Sequence, residues 1–197
     1  MNRLVSLESG MRSLVIFRDL LSDEAVRSFL TMLACQDEDA FIDACADFEA
    51  ALFSHCDNWS DYLVKAILSS ENIAVRMKAV KESSSVIDAS LKRELAILSD
   101  AAAVRLEDFP FGSVSLFTPW NTSETNLSAA YDARLDEAAV RGYGMYAEYH
   151  VFSLTDEGLV PVKYPDPQKL SELPGYEAER RKVIANVEAL LKGDPAV

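Results

Sequence analysis

The placement of proline and glycine constrains the fold of this chain more than any other feature of its sequence. All seven prolines lie at or beyond Pro110, and six of the seven glycines lie at or beyond Gly112, so that Gly10 is the only residue of either type in the first 109. Because these residues form turns and interrupt helices, their segregation predicts a helical region over residues 1–109 and a mixed region over residues 110–197.

Apolar residues in the first region recur with the period of an α-helix. One stripe occupies positions i, i+3, i+4, i+7 and i+11, and two shorter stripes follow a similar spacing. Further helices are predicted from about Asp23 to Ala34, from Ile73 to Lys81 and from Val86 to Ala103. Short polar joints separate them, which favours an N-terminal helical bundle or a helix-hairpin stack. The stripes consist of Phe41, Ala44, Cys45, Phe48 and Leu52; of Leu4, Leu7, Met11, Leu14 and Val15; and of Tyr62, Leu63, Ala66 and Ile67.

The second region changes its period along the chain. A helix is predicted from Ser123 to Val140 because Gly142 follows it. Aromatic and β-branched residues from Tyr143 to Leu154, a turn, and an apolar run from Leu159 to Val162 predict a β-hairpin. A last helix is expected from Glu177 to Leu191. The predicted fold class is therefore mainly α, followed by a small α+β segment with one β-hairpin and a C-terminal helix.

The charge of the chain argues against two classes of partner. The sequence holds 19 Lys and Arg against 32 Asp and Glu, which gives a formal net charge of −13. Nucleic acids and anionic lipids are bound by basic surfaces, so neither is expected as a partner. No stretch approaches the roughly 18 uncharged apolar residues of a membrane span. The N-terminus does not resemble a signal peptide, and we expect a cytoplasmic protein.

Acidic residues concentrate between Arg27 and Lys65, where no basic residue occurs. If several of them share a helix face, they create a negative field that attracts a basic protein partner, and Asp39, Asp43 and Asp47 are the candidate interaction surface. The alternative is an ordinary solvated helix face. No metal site is predicted, because the acids lack the spacing and the turn glycine of a calcium loop. The acids are Asp37, Glu38, Asp39, Asp43, Asp47, Glu49, Asp57 and Asp61.

The cysteines do not form a recognisable reactive or metal-binding set. Cys35, Cys45 and Cys56 lack the short C-x-x-C spacing of zinc sites and are expected to be buried free thiols in a reducing compartment. His55 lies next to Cys56, but adjacent helical residues point about 100° apart and do not face each other. The sequence therefore offers no catalytic residues, and we expect no enzymatic activity from this chain alone.

A motif lies at the end of the chain. From Leu170 the sequence reads Leu-Ser-Glu-Leu-Pro-Gly-Tyr-Glu, and a basic helix and Gly193-Asp194-Pro195 follow. This order resembles the segment before the phosphate-binding loop of AAA+ ATPases. The hairpin upstream resembles the one ahead of the ATPase core in a bacterial AAA+ family of unknown cellular role. The resemblance extends from about Trp120 to Val197 and implies the N-terminal region and pre-P-loop linker of such an ATPase.

The resemblance has consequences for cofactors and partners. It implies that Leu173, Gly175 and Tyr176 form one wall of an adenine pocket, although Gly175 and Tyr176 are equally well explained as a turn that opens a helix. The string G-x-x-x-x-G-K-[ST] is absent, so hydrolysis by this chain and a cofactor within it are not expected. ATP and Mg²⁺ are implied for the parent protein only.

The role implied by the resemblance is recognition. N-terminal regions of AAA+ ATPases usually bind the client or adaptor while the nucleotide domain supplies force. The expected partners are therefore a protein client or adaptor, a basic one if the acidic residues form the surface, and the missing AAA+ domain. The alternative is a standalone acidic helical adaptor that works by protein binding alone.

Overall fold

A computed structural model describes residues 3–141, 149, 151–156, 158–166, 169 and 175–192 of the chain. The contacts divide it into two compact units, Met1–His150 and Val151–Val197. The predicted fold class is confirmed, because the described residues form α-helices and one antiparallel β-hairpin. The change in composition near Pro110 lies inside the first unit.

The first unit consists of helices joined by short segments. Three short 3₁₀ turns, Arg18–Ser22, Leu106–Asp108 and Gly112–Leu116, lie between them. The predicted helices agree with the observed ones to within a few residues, as their apolar spacing requires. The α-helices described in this unit are α1 (Arg3–Arg12), α2 (Glu24–Leu33), α3 (Glu38–Phe53), α4 (Trp59–Ser69), α5 (Ile73–Ala79), α6 (Ser85–Ala102) and α7 (Leu127–Arg141).

Side-chain caps fix the beginnings of four helices. The caps of α2, α3, α4 and α5 are Asp23, Asp37, Asn58 and Asn72, and each side chain accepts a hydrogen bond from a backbone N–H in the first turn. Such a cap satisfies an otherwise unpaired donor and contributes about 1 kcal/mol. The polar joints of the sequence therefore define where the helices start.

Helix α3 passes through the centre of the core. Its buried residues are Phe41, Ala44, Cys45, Phe48 and Leu52, which confirms the predicted stripe. All five are at most 5% exposed, so the helix packs along this entire face. Burial of such residues is the main source of stability in a domain of this size.

Aromatic rings link α3 to α2 and α4. The ring of Trp59 lies 4.6 Å from that of Phe29 and 5.1 Å from that of Phe48. Trp120 approaches Phe48 edge-on at 4.9 Å. The two indole N–H groups donate hydrogen bonds to backbone carbonyl oxygens, Trp59 to Ala101 and Trp120 to Val104. Both buried donors are thus satisfied, as low-dielectric surroundings require.

A second aromatic cluster attaches the segment after α6 to the start of α3. The ring of Phe41 lies 5.1 Å from Phe109, 4.6 Å from Phe111 and 6.4 Å from Phe117. Each such pair contributes about 0.5–1.5 kcal/mol beyond the free energy gained by burying its surface area. The proline-containing segment therefore packs on the helical core as a part of the same unit.

The end of α1 differs from the prediction. The predicted stripe continued through Leu14 to Val15, but α1 ends at Arg12 and Val15 is 73% exposed. The chain leaves the helix because the backbone N–H groups that follow bind a side chain of α6. Oε1 of Glu94 accepts from the N–H of Val15 at 2.9 Å, and Oε2 accepts from Ile16 at 3.0 Å.

Helix α7 starts later than predicted, at Leu127 instead of Ser123. The backbone N–H of Ser123 donates to the hydroxyl of Ser60 at 2.9 Å, which holds this stretch outside the helix. Asn126 then caps the helix by accepting from the N–H of Ala129 at 3.0 Å. Tertiary contacts thus override the local preference for an earlier start.

Helix α7 is joined to α5 by a buried polar network. The side-chain amide of Asn72 donates to the hydroxyl of Tyr131 at 2.7 Å and to the hydroxyl of Ser70 at 3.3 Å. Ser70 in turn donates to the carboxylate of Asp19 at 3.0 Å. Tyr131 is completely buried, and burial raises its pKa to about 12. Networks of this kind favour one arrangement of the helices over others.

The second unit contains the predicted hairpin and the final helix. Strands β1 (Phe152–Thr155) and β2 (Gly158–Pro161) pair antiparallel, with Leu154 opposite Leu159. The helix, α8 (Glu177–Lys192), closely matches the predicted range. Residues 143–148 and 150 of the predicted first strand, Tyr146 among them, lie outside the described residues.

Candidate functional site

Three carboxylates line one exposed side of α3. Asp39, Asp43 and Asp47 are all exposed, and their spacing of four residues places them on the same side of the helix, about 6 Å apart along its axis. Within the described parts of the chain, none of the three forms an ion pair. We refer to these three residues as the acidic face.

Other acids of the same stretch have structural roles. Asp37 caps α3, and Glu38 accepts a hydrogen bond from the backbone N–H of Ser113 at 2.6 Å. Asp57 accepts from the side-chain amide of Asn121 at 3.0 Å. These three carboxylates fix the path of the chain, whereas those of the acidic face are exposed and form no ion pair among the described residues. Of the other two acids, Asp61 is exposed on α4 and Glu49 is half-buried on α3.

A groove between α2 and α3 borders the acidic face. Its volume is about 530 Å³, and Asp47 belongs both to the groove and to the acidic face. Carboxylates and hydroxyls supply most of its polar groups, with small alanines on the α3 side. The two carboxylates, Glu24 and Asp47, outnumber the one guanidinium, Arg27, so the groove can still take a long cationic side chain and has room for its methylene stem. The lining residues are Glu24, Arg27, Ser28, Thr31, Asp47, Ala50, Ala51 and Ser54.

Glu49 and Cys45 form an unreactive pair on the buried side of α3. Burial, with a smaller contribution from the nearby Glu49 carboxylate, raises the pKa of the Cys45 thiol to about 12. Burial also raises the pKa of Glu49. Among the described residues, Oε1 of Glu49 has no hydrogen-bond partner. A thiol that stays protonated is a poor nucleophile.

The other two cysteines are only partly buried, and all three are free thiols. The prediction of buried thiols therefore holds fully for Cys45 alone. The Cys35 thiol donates to the carbonyl oxygen of Ala40 at 3.4 Å, and its pKa is raised by burial and by Asp37. These contacts hold the thiol in its protonated form.

His55 and Cys56 both line a cleft of about 440 Å³ beside α4. Both follow the end of α3 at Phe53, so they do not lie on a helix as the prediction assumed, and they contact different groups. The His55 ring lies 5.4 Å from that of Tyr62, and the Cys56 thiol donates to the carbonyl oxygen of Asn58 at 3.4 Å. The hydroxyl of Tyr62 donates to Asp23 at 2.8 Å. These contacts of His55 and Cys56 do not join the thiol to the imidazole, as a catalytic nucleophile would be joined to its general base.

Two residues of the implied adenine wall, Gly175 and Tyr176, lie just before α8, and the third, Leu173, lies outside the described residues. Gly175 and Tyr176 have positive φ angles of 78° and 62°, and the carbonyl oxygen of Tyr176 accepts from the N–H of Arg180 at 2.9 Å. The Tyr176 side chain is 74% exposed. A non-glycine residue with positive φ is uncommon and costs conformational energy.

Helix α8 carries an exposed apolar stripe. The fractional exposure is 52% for Val183, 48% for Val187, 67% for Leu190 and 81% for Leu191. The spacing i, i+4, i+7 and i+8 places these side chains on one face. None of the residues of α8 is buried, which is unusual for an amphipathic helix in a finished domain.

The described residues provide neither a metal-ligand cluster nor a membrane-spanning helix. No group of three or more His, Cys, Asp or Glu side chains is placed to hold a metal ion in the described ranges. In the same part of the chain, every helix is too short or too polar to cross a bilayer. Comparisons of the chain with protein-family models, curated proteins and solved structures gave no match. A proposal for the function of this chain therefore rests on the geometry of its described residues.

Proposed function

We propose that this chain is a cytoplasmic protein-recognition module, which binds a basic segment of a protein client or adaptor and has no enzymatic activity of its own. The observation that supports it is the acidic face, whose three carboxylates Asp39, Asp43 and Asp47 share one exposed side of α3. The neighbouring groove, with Asp47 and Glu24 in its lining, accepts a side chain of the same partner.

The spacing of the acidic face matches common arrangements of basic residues. Successive carboxylates lie about 6 Å apart, as do basic residues four apart on a helix or two apart on a strand. Exposed ion pairs contribute about 0.2–1 kcal/mol each, so three of them give modest affinity. Their larger effect is on the rate of association and on its salt dependence.

A charge-neutralising variant tests this proposal. We expect the triple variant Asp39→Asn, Asp43→Asn, Asp47→Asn to bind a short oligolysine peptide several-fold more weakly and with a shallower salt dependence. The matched control, Asp100→Asn, Glu107→Gln, Asp132→Asn, changes the net charge equally but on other exposed positions. Isothermal titration calorimetry at several salt concentrations measures both. Equal weakening in the two triple variants would show that net charge alone matters.

The parent protein is, in this proposal, an AAA+ ATPase. The resemblance of residues 120–197 supports it, and so does the exposed stripe of α8, since a linker helix would cover that stripe with the nucleotide domain. ATP and Mg²⁺ would then bind mainly to that domain. We expect calorimetry to detect no ATP binding to this chain, because one adenine wall lacks phosphate contacts. Micromolar ATP binding that Tyr176→Ala abolishes would contradict this assignment.

A standalone adaptor is the second candidate. The complete core of the first unit favours it, because helices α1–α7 bury their apolar faces without help from another domain. Both candidates share the acidic face and differ in α8. An adaptor needs no domain to cover α8. We would then expect the chain to be monomeric, its α8 stripe to tolerate polar substitution, and its affinity for oligolysine to be the same. In the ATPase reading, that substitution removes a docking surface.

A further inference from the structure

Three arginines converge on one cavity in the first unit. The cavity has a volume of about 320 Å³ and lies where the end of α1, the 3₁₀ turn Arg18–Ser22 and α2 meet. Two leucines and a threonine complete its walls. The lining residues are Arg12, Arg18, Leu21, Arg27, Leu30 and Thr31.

The charge of this cavity is opposite to that of the chain. The first 64 residues contain only four basic side chains, those of Arg3, Arg12, Arg18 and Arg27, and three of the four line this one space. No acid is among the lining residues. Placing like charges together is unfavourable, and a chain with 32 acids has many ways to separate or neutralise them. Such clustering is typical of a site that binds an anion.

Two of the guanidinium groups are oriented by other contacts. The Nε of Arg12 pairs with the carboxylate of Glu8. The Nη1 of Arg18 donates to the carbonyl oxygens of Arg12 at 2.8 Å and of Leu14 at 3.4 Å. Each contact occupies one nitrogen of a fork that carries five N–H donors, so further donors remain for a ligand. Holding a side chain in place beforehand lowers the entropy cost of binding.

The third guanidinium is uncommitted. Within the described residues, the Arg27 side chain has no ion pair or hydrogen bond. Thr31 donates its hydroxyl to the carbonyl oxygen of Arg27 at 3.1 Å, so its proton is used within α2 and the donors that the cavity offers to an anion are the guanidinium groups. Arg27 also borders the groove between α2 and α3, whereas Arg18 does not.

We propose that this cavity binds the phosphate group of a small phosphorylated ligand. Planar guanidinium forks match the oxygens of a phosphate and bind it through paired, charge-assisted hydrogen bonds. Arg12 is paired with Glu8, but Arg18 and Arg27 have no ion-pair partner among the described residues, and their two positive charges suit a phosphate dianion better than a carboxylate monoanion. The volume lies near the lower end of the usual range for ligand sites, so the ligand is compact. Leu21 and Leu30 supply an apolar wall for the body that carries the phosphate.

Calorimetry with three probes tests the proposal on the intact chain. We expect phenyl phosphate to bind with one-to-one stoichiometry, more tightly than inorganic phosphate because of the leucine wall, and benzoate to bind much more weakly than either. Arg18→Gln and Arg27→Gln should each weaken phenyl phosphate by about tenfold or more, since each removes a charged hydrogen bond. Arg105→Gln, at an exposed arginine outside the cavity, should leave the affinity unchanged.

The outcomes separate this site from the acidic face. Oligolysine binding should survive Arg18→Gln, because Arg18 lines only the arginine cavity, so failure of one proposal leaves the other standing. Circular dichroism confirms that each variant is folded, and Thr31→Val offers a milder change in the same wall. Absence of phosphate binding, equal binding of benzoate, or equal losses in Arg105→Gln and Arg27→Gln would each overturn the assignment.

Discussion

The carboxylate of Glu94 accepts a hydrogen bond at 3.1 Å from the backbone N–H of Phe17, a residue 77 positions earlier in the chain. The same carboxylate accepts from the N–H groups of Val15 and Ile16 and from the guanidinium of Arg93. Glu94 is completely buried, yet four donors satisfy its charge. This one side chain therefore anchors the segment after α1 to α6.

Replacement of Glu94 by glutamine should destabilise the first unit by about 2–4 kcal/mol. The amide nitrogen would face N–H donors that now bind an oxygen, and buried donors left without an acceptor are costly. Urea titration followed by circular dichroism measures the free energy of unfolding. Asp88→Asn is the matched control, since Asp88 lies exposed on the same helix. A loss in Glu94→Gln no larger than in the control would refute the anchoring role.

Glu49→Gln should stabilise the protein at neutral pH. Burial raises the pKa of Glu49 in the folded state, so its ionisation opposes folding. Protonated Glu49 does not oppose folding, so its contribution to stability is fully present below the pKa of Glu49 in the unfolded chain. That contribution is lost as the pH rises through the higher pKa of Glu49 in the folded protein. The gain from Glu49→Gln should therefore vanish in acid and appear toward neutrality. Thermal unfolding at a series of pH values checks this, with the exposed Asp47→Asn as control.

Lys81→Gly should raise the stability by about 1 kcal/mol. Lys81 follows α5 with φ of 60°, and the N–H groups of Lys81 and Glu82 close the helix end by donating to Lys78 and Met77. This arrangement prefers glycine, because a side chain makes the left-handed conformation unfavourable. Lys81→Ala keeps that penalty and removes the charge, so it should change little. A comparable gain in both variants would assign the effect to charge.

The apolar stripe of α8 should promote self-association of this chain. We expect the double variant Leu190→Ser, Leu191→Ser to shift sedimentation toward monomer, because it removes the two most exposed of the four apolar side chains of the stripe. Val86→Ser is the control. Val86 is 73% exposed but lies in the first unit, so its replacement should have no such effect. A wild-type chain that is monomeric at high concentration would contradict the prediction.

Local periodicity was sufficient for most of the helices but not for their connections. The stripe from Phe41 to Leu52 was predictable because burial repeats with the turn of the helix. Val15 was misplaced because the reason for its exposure, the carboxylate of Glu94, lies far away in the sequence. A charged residue in a helical pattern is normally assigned to solvent, so no local signal marks Glu94 as buried.

The two candidate sites also differ in how far the sequence could predict them. The spacing of Asp39, Asp43 and Asp47 on one helix was visible in the sequence, and their exposure agrees with it. The arginine cavity was not visible, because Arg12, Arg18 and Arg27 lie on three different elements whose packing angles no spacing rule supplies. The scarcity of other basic residues in this part of the chain was the available signal.

The hydrogen-bonded indoles of Trp59 and Trp120 give the protein an internal optical probe of one unit only. They are its two tryptophans, and both are buried in the first unit. Intrinsic fluorescence will therefore follow the loosening of the aromatic core around Phe48 and will be blind to melting of the hairpin and α8. Emission and far-ultraviolet ellipticity that diverge on heating would thus report two separate transitions within a single polypeptide.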